Sequence, residues 1–398
     1  MTELSLTSRH HNRIADLHED ITAWRRDLHM HPEVGFEEVR TSALVAAKLA
    51  DFGVDQVITG VAKTGVIGII RGAQDGPMIG LRADMDALPM QEHAAMAWSS
   101  VNRGAMHACG HDGHTAMLLG VARILAETRD FAGSVAVIFQ PAEEGGGGGR
   151  VMVEEGLFDK APCASVWGLH NWPGMPLGDF CALAGPIMAG IDYFDIAIRG
   201  QGAHSGMPHT GVDTVLAAAH LVTAIQSVPG RSLSPHETAT IGVSMFKGSD
   251  AYVVMPDEAV IGGSVRYFDA ATRDVAEARI RMLAQGIAAG FGAEAVIDYR
   301  KTYPPTINHA AETDVAAQVA AALVGESCVR RASDPCMAGE DFSFMLDKRP
   351  GNYIWMGTDE AGRNNAMLHY HDYDFNDAAI PVGVGYWLGL VDRLLPSG

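Results

Sequence analysis

The chain has 398 residues, enough for two domains or for one large domain carrying an insertion. Its 48 acidic and 29 basic residues leave a formal net charge of −19, spread along the chain, which argues against nucleic acid or an anionic membrane surface as partner. No apolar run is long enough to span a membrane, and the first residues show no basic segment followed by an apolar one, so neither a membrane span nor a signal peptide is expected. The five Cys, at 109, 163, 181, 328 and 336, are odd in number and lack CxxC spacing. That usage fits a reducing compartment, and the cytoplasm is the expected location.

Ile14, Leu17, Ile21, Trp24 and Leu28 recur at steps of three and four and predict one apolar face of a long opening helix, ended by Pro32. A second helix carrying Leu44, Val45 and Leu49 follows Phe36, with Gly53 as its stop. Residues 66–70 and 78–81 are short, continuous apolar runs, as expected of strands buried on both faces. The second run leads into Asp84 and Asp86, so two carboxylates sit at a strand's C-terminal end. In open α/β sheets that edge receives ligands.

Residues 107–114 read His-Ala-Cys-Gly-His-Asp-Gly-His. Thiolate and imidazole are the side chains that borderline divalent metals prefer. Cys109 and His111, two apart, can be aimed at one point by a turn. The apolar run 116–119 suggests a helix beginning at His114, with Asp112 or Gly113 at its cap. A buried strand over 134–139 then empties into Gln140-Pro141-Ala142-Glu143-Glu144 and five consecutive Gly, 145–149. Another strand, over 164–169, ends at His170. Asp86, Glu143, Glu144 and His170 are thereby expected at one sheet edge.

From about residue 186 the pattern changes. Residues 193–198 alternate as a half-exposed strand should. A helix over 212–228, strands over 240–246 and 259–268, a helix over 272–289 and a strand over 295–299 follow. This βαββαβ order is the ferredoxin-like plan, a four-stranded sheet with both helices on one face. The fold class is therefore α/β, a mixed-sheet domain in two parts, 1–185 and 305–398, interrupted by an inserted domain at 186–304. A helix over 313–323 and a strand over 353–356 precede two late histidines, His369 and His371.

Cys109, His111, Glu144, His170 and one late His make a five-ligand set, sufficient for two divalent ions sharing a bridging water, an arrangement used to hydrolyse amides and esters. Adjacent carboxylates at a strand end point in different directions, so one can grip metal while its neighbour serves as general base. The glycine run leaves room for substrate or for a close backbone. It lacks both the Lys-Ser/Thr of a phosphate loop and the spaced Gly-x-Gly-x-x-Gly pattern, which disfavours nucleotide binding.

These motifs carry a resemblance. Ala83-Asp84-Met85-Asp86-Ala87-Leu88-Pro89, the stretch from Met106 to His114, Phe139-Gln140-Pro141-Ala142-Glu143-Glu144 and Gly168-Leu169-His170-Asn171 stand in the order seen in the M20 family of metal-dependent amidohydrolases. So do Gly202-Ala203-His204-Ser205-Gly206-Met207-Pro208-His209, Gly339-Glu340-Asp341-Phe342, and His369 with Tyr373-Asp374-Phe375-Asn376-Asp377. From residue 24 to the C-terminus the chain resembles the branch containing hippurate hydrolases, N-acyl-amino-acid amidohydrolases and indole-acetyl-amino-acid hydrolases.

The resemblance implies Cys109, His111, Glu144, His170 and His369 as metal ligands, Glu143 as general base, and Asp86 behind them orienting an imidazole. It selects His369 over His371, which occupies a position usually held by Pro. It implies two divalent ions per subunit (Mn, Zn, Co or Ni, with Mn or Zn foremost) and a small-molecule substrate. The inserted domain becomes a lid that pairs subunits into a homodimer or higher homo-oligomer. His204 is then expected to reach a neighbouring active site and stabilise the oxyanion, and Arg266 to receive the substrate's carboxylate. One departure stands out: the family's Asn-Val-Ile-Pro-Asp is here Val253-Val254-Met255-Pro256-Asp257. The expected reaction is cleavage of the amide bond of small N-acyl amino acids or related conjugates. The alternatives are the same metal chemistry on an aromatic amine or unusual conjugate, or a catalytically silent metal-binding protein. The last would require a missing ligand or base, and all six positions are filled.

Overall fold

The computed structural model describes residues 9–363 and 365–398; the opening stretch read for a signal peptide, residues 1–8, lies outside them. Two compact units emerge. The first comprises the chain up to Ile187 with Ile307–Asp334 and Asp341–Gly398, and the second comprises Met188–Thr306 with Pro335–Glu340.

The first unit is built on an eight-stranded mixed sheet. Its centre is four parallel neighbours, Ala132–Gln140, Gln74–Asp84, Ser165–Pro176 and Gly351–Asp359. Their continuous apolar runs are buried on both faces, as parallel strands flanked by helices must be. Parallel neighbours bring their C-terminal ends to one edge, and Asp84 pairs directly with Gln140.

The opening helix, His11–Met30, buries Ile14, Leu17, Ile21 and Leu28, the face its periodicity predicts. Helix Val39–Asp51 ends at Gly53, whose φ of +74° is the left-handed stop a glycine supplies without strain. The central helix, His111–Thr128, is buried along almost its whole length.

That helix begins at His111, three residues earlier than the local cap signals suggest. Gly110 precedes it at φ +92°, and a Cβ there would sit 2.4 Å from Asn171 Oδ1 and 2.7 Å from the Tyr373 hydroxyl. A tertiary fit therefore sets the start, overriding Asp112 and Gly113 as caps. Strand Ser165–Pro176 also runs on past His170, which lies inside it opposite Trp355.

The second unit has the βαββαβ order. Its antiparallel sheet runs Ala239–Lys247, Glu258–Tyr267, Gly190–Arg199, Glu294–Tyr303. Helices Thr214–Ile225 and Ala270–Gly290 share its core of Phe194, Ile196, Ile198, Leu221 and Ile280. Asp213 and Asp269 cap these helices by accepting the main-chain N–H groups of Leu216 and Thr272. Outside the sheet, Ala203–His204 pairs with Val254–Met255 in a two-stranded ribbon. Among the described residues no helix is long and apolar enough to cross a membrane.

Candidate metal centre

At the C-terminal edge of the parallel strands the main chain is tied down residue by residue. Met85 N–H donates to Gln140 O at 2.9 Å, and Glu144 N–H donates to Asp86 Oδ2 at 2.9 Å. The two acidic strand ends are therefore joined to each other. Glu143 is 7% exposed and Glu144 somewhat more, so the pair is no solvated helix face.

The motif residues of the first unit meet here. Cys109, Glu144 and His369 offer donor atoms that all lie within 4.8 Å of one another, and His111, Glu143 and Glu144 do the same. Cys109 Sγ is 3.5 Å from His170 Nε2, and His369 Nε2 is 3.1 Å from Glu144 Oε1. Glu144 belongs to both groups and so stands between them. The late histidines diverge. His369 approaches Glu144, whereas His371 directs Nδ1 to Gln91 O at 2.7 Å and stacks on His93 with ring centroids 4.4 Å apart.

The orientation of each imidazole follows from its partners. His111 Nδ1 lies 2.9 Å from the main-chain carbonyl of Asp86, and His170 Nδ1 lies 2.7 Å from that of Asn171. A carbonyl only accepts, so both Nδ1 atoms carry hydrogen, and Nε2 is the nitrogen through which each ring, in its neutral form, would bind a cation. His111 Nε2 is buried there without a hydrogen-bond partner among the described residues, and the buried Glu144 Oε1 is approached by His369 Nε2. His114 differs: Nδ1 meets Asp84 Oδ1 at 2.6 Å and Nε2 accepts from Asn171 N–H at 3.1 Å, so both nitrogens are engaged.

The field is strongly acidic. Burial pushes the Cys109 thiol well above its ordinary range, and the carboxylates of Glu144, Glu143 and Asp84 push it further. Burial disfavours a charged His111, but Asp84, Asp86 and Glu144 outweigh it and hold the ring up to about 10. Burial and the neighbouring His114 keep His170 well below the usual histidine range. Crowded carboxylates, imidazole nitrogens and a thiol together call for positive charge. One sulfur, imidazole nitrogens and carboxylate oxygens are the donors that borderline divalent cations take, and the residues present fit such ions.

Backbone strain gathers at the same place. Ala142 has φ +52° and His369 φ +64°, left-handed values rare outside glycine. The His369 N–H is held by Ala108 O at 2.8 Å, which ties the late loop to the Cys109 segment.

His204 and Arg266 belong to the second unit. His204 is exposed on the ribbon opposite Val254, and its Nδ1 accepts from Gly206 N–H at 3.0 Å. Val253, 58% exposed, accepts from Ser205 N–H through its carbonyl, which places it beside His204 on that ribbon. Arg266 is half-buried on strand Glu258–Tyr267 and donates to Met337 O at 2.8 Å.

Several residues that shape the centre were not singled out by pattern. Asp84, noted only as a strand-end acid, holds His114 and is paired with the buried Arg82 at 2.7 Å. Asn171 donates from Nδ2 to the Tyr373 hydroxyl at 2.7 Å. Both stand inside the motifs quoted above, which give them no role of their own, and that membership is the available signal.

A family model described as peptidase family M20/M25/M40 matches residues 80–393. The chain is 36% identical over 381 residues to an N-acetylcysteine deacetylase of Bacillus subtilis, covering 96% of this chain and 98% of that protein. It is 37% identical over 382 residues to a hippurate hydrolase of Campylobacter jejuni, with the same coverage of 96% and 98%. Among solved structures, a Bacillus subtilis protein described as a dinuclear metal binding peptidase from the M20 family superposes with a TM-score of 0.81. Its identity is 32%, over 96% of this chain and 100% of that one.

Proposed function

The chain belongs to the M20/M25/M40 peptidase family and is an enzyme that hydrolyses C–N bonds, and on that premise we propose that it cleaves the amide bond of small N-acyl amino acids, hippurate-like and aryl-acyl ones included. The observation that carries this reading is the pair of donor groups sharing Glu144, with His111 Nε2 buried and turned into them. We assign Cys109, His111, Glu144, His170 and His369 to two divalent cations, Mn or Zn foremost. Bound there, the cations supply Lewis acidity and bring a water's pKa toward about 7.

The chain's own residues do the rest. Glu143, whose carboxylate lies within 4.8 Å of donor atoms of His111 and Glu144, takes the proton of the attacking water and returns it to the leaving amine. Asp86 fixes the His111 ring through its main-chain carbonyl and Glu144 through its carboxylate. Arg266 is assigned the substrate's carboxylate, because a guanidinium presents paired donors to it. His204 is assigned the oxyanion. We further propose that the second unit pairs subunits. Among the described residues its edge strand, Ala239–Lys247, has a strand neighbour on one side alone, and it carries the exposed Phe246.

The exposed Val253 beside His204 favours one second reading: the same chemistry on a substrate that is not an α-carboxylate amide, such as an aromatic amine conjugate. A hydrolysis screen of metal-loaded protein against N-acetyl, N-benzoyl and indole-acetyl amino acids, with anilides alongside, separates the two. Turnover of acyl amino acids supports the first reading; turnover of anilides alone supports the second. Glu143→Ala should abolish turnover while retaining bound metal, and near-native activity in that variant would overturn the role of Glu143.

A further inference from the structure

Residues 33–38 pass beneath the centre, and no step above uses them. Ala87 N–H donates to Glu33 O at 2.8 Å, which ties the segment to the strand end that carries Asp86. Gly35 lies against Ala142, close enough that a Cβ on it would meet Ala142 Cα and Cβ at 3.1 Å. Glu38 is fully buried. Its Oε1 accepts the Ala142 N–H at 2.9 Å, and its Oε2 accepts the Thr64 hydroxyl at 2.6 Å.

Ala142 is the left-handed residue at φ +52°, immediately before Glu143 and Glu144. An alanine avoids that conformation because its Cβ crowds the following carbonyl. Something must hold it, and three hydrogen bonds grip the turn. Glu38 takes Ala142 N–H, Gly148 N–H reaches Ala142 O at 3.0 Å, and Asp86 takes Glu144 N–H. Asp86 and the Gly148 amide belong to segments the centre already uses. Glu38 comes from a separate segment, 104 residues away, and places a carboxylate in the interior, where burial is costly unless its hydrogen bonds are needed.

We propose that Glu38 is a positioning residue. Its carboxylate holds Ala142 in the left-handed conformation and so aims Glu143 at the attacking water and Glu144 at the cations. Without that acceptor, Ala142 N–H would be buried and unpaired, and the residue would rotate toward an ordinary φ, swinging both following side chains. The inference rests on the assignment of Glu143 and Glu144 above.

The test compares Glu38→Ala, Glu38→Gln, Ala142→Gly and the double variant Glu38→Ala/Ala142→Gly, all metal-loaded. Glu38→Ala should lower kcat by about tenfold to hundredfold, the scale of an ångström-level misplacement, with KM changed within about threefold. Bound metal per chain, measured by elemental analysis, should fall in the same variant. Glu38→Gln keeps an oxygen facing Ala142 N–H and should retain most of kcat. Glycine takes the left-handed conformation without strain, so the double variant should recover part of the loss. A role confined to packing predicts no such rescue. If Glu38→Ala does not fold, Gly35→Ala presses on Ala142 Cα and Cβ and should lower kcat and metal content similarly. Native kcat and metal content in Glu38→Ala, or a loss that neither glutamine nor Ala142→Gly repairs, would overturn the proposal. Full activity in Glu143→Ala sinks the functional reading itself, whereas an inactive Glu143→Ala beside a native-like Glu38→Ala sinks only this inference.

Discussion

Asp86 Oδ2 accepts the main-chain N–H of Glu144 at 2.9 Å, while Oδ1 of the same carboxylate lies 3.3 Å from His111 Nδ1. One side chain thus braces a donor on each of two separate segments. Removing it leaves Glu144 N–H unpaired and one wall of the His111 ring unsupported. Asp86→Ala should weaken metal binding by about tenfold to hundredfold, the usual effect of losing a residue that orients ligands. Titration of the variant against a competing chelator reads this directly. Asp86→Asn keeps one acceptor and should fall between. Affinity unchanged in both variants would mean that the main-chain carbonyl alone fixes the ring.

Stripping the metal should cost stability as well as activity. Without cations, Asp84, Asp86, Glu143 and Glu144 crowd one edge, and the rings of His111 and His114 and the side chain of Arg82 offset only part of their mutual repulsion. Loading at a hundred times the dissociation constant should stabilise the fold by about 2.7 kcal/mol, and Tm should depend on metal concentration. Calorimetry of chelator-treated protein before and after adding Mn or Zn checks both. A stripped protein that melts where the loaded one does would show that the cluster holds no ion tightly.

The architecture was legible where local pattern decides it. Ile14, Leu17 and Ile21 recur at the helical period because one face must be buried, and residues 135–139 run apolar because both faces are. The convergence of Asp86, Glu143 and Glu144 at one edge followed from parallel strands sharing a direction. What escaped depends on distant partners. The helix starts at His111 because Asn171 and Tyr373 leave room only for glycine at position 110. The strand continues through His170 because residues 351–359 pair with it. Glu38 reads locally as one more acid before a helix, and its partner Ala142 can be found only in three dimensions.

Stability should also depend on alkaline pH. His29, in the opening helix, sits 2.8 Å from Asp112 Oδ2, and both are fully buried. Burial disfavours a charged His29, yet the Asp112 charge and hydrogen bond outweigh it and raise the ring to about 9. A histidine whose folded pKa exceeds its unfolded value stabilises the fold fully below about pH 6.5 and loses that contribution as pH rises through the folded value. The shift corresponds to about 3 kcal/mol at most. Urea unfolding should therefore show stability declining between about pH 6.5 and 9, and the decline should shrink in His29→Gln. Equal slopes in the two proteins would show that His29 is not the group responsible.

The glycine run, finally, is built rather than loose. Gly148 packs so closely on Pro141 that a Cβ would lie 1.7 Å from its carbonyl oxygen and 2.7 Å from its carbonyl carbon, both main-chain atoms. Nothing there can give way without moving the turn that carries Glu143 and Glu144. Gly145 is the opposite case: among the described residues nothing lies within 4 Å of its hypothetical Cβ, and its φ of +91° is what favours glycine. Gly145→Ala should therefore cost about 1 kcal/mol of backbone strain and leave bound metal near the native amount. Gly148→Ala should cost about 3 kcal/mol or more and lower bound metal, because relieving the clash displaces the acidic turn. Thermal melts with elemental analysis on the two single variants rank them. If Gly145→Ala proved the more damaging, open space at that position would be the wrong description.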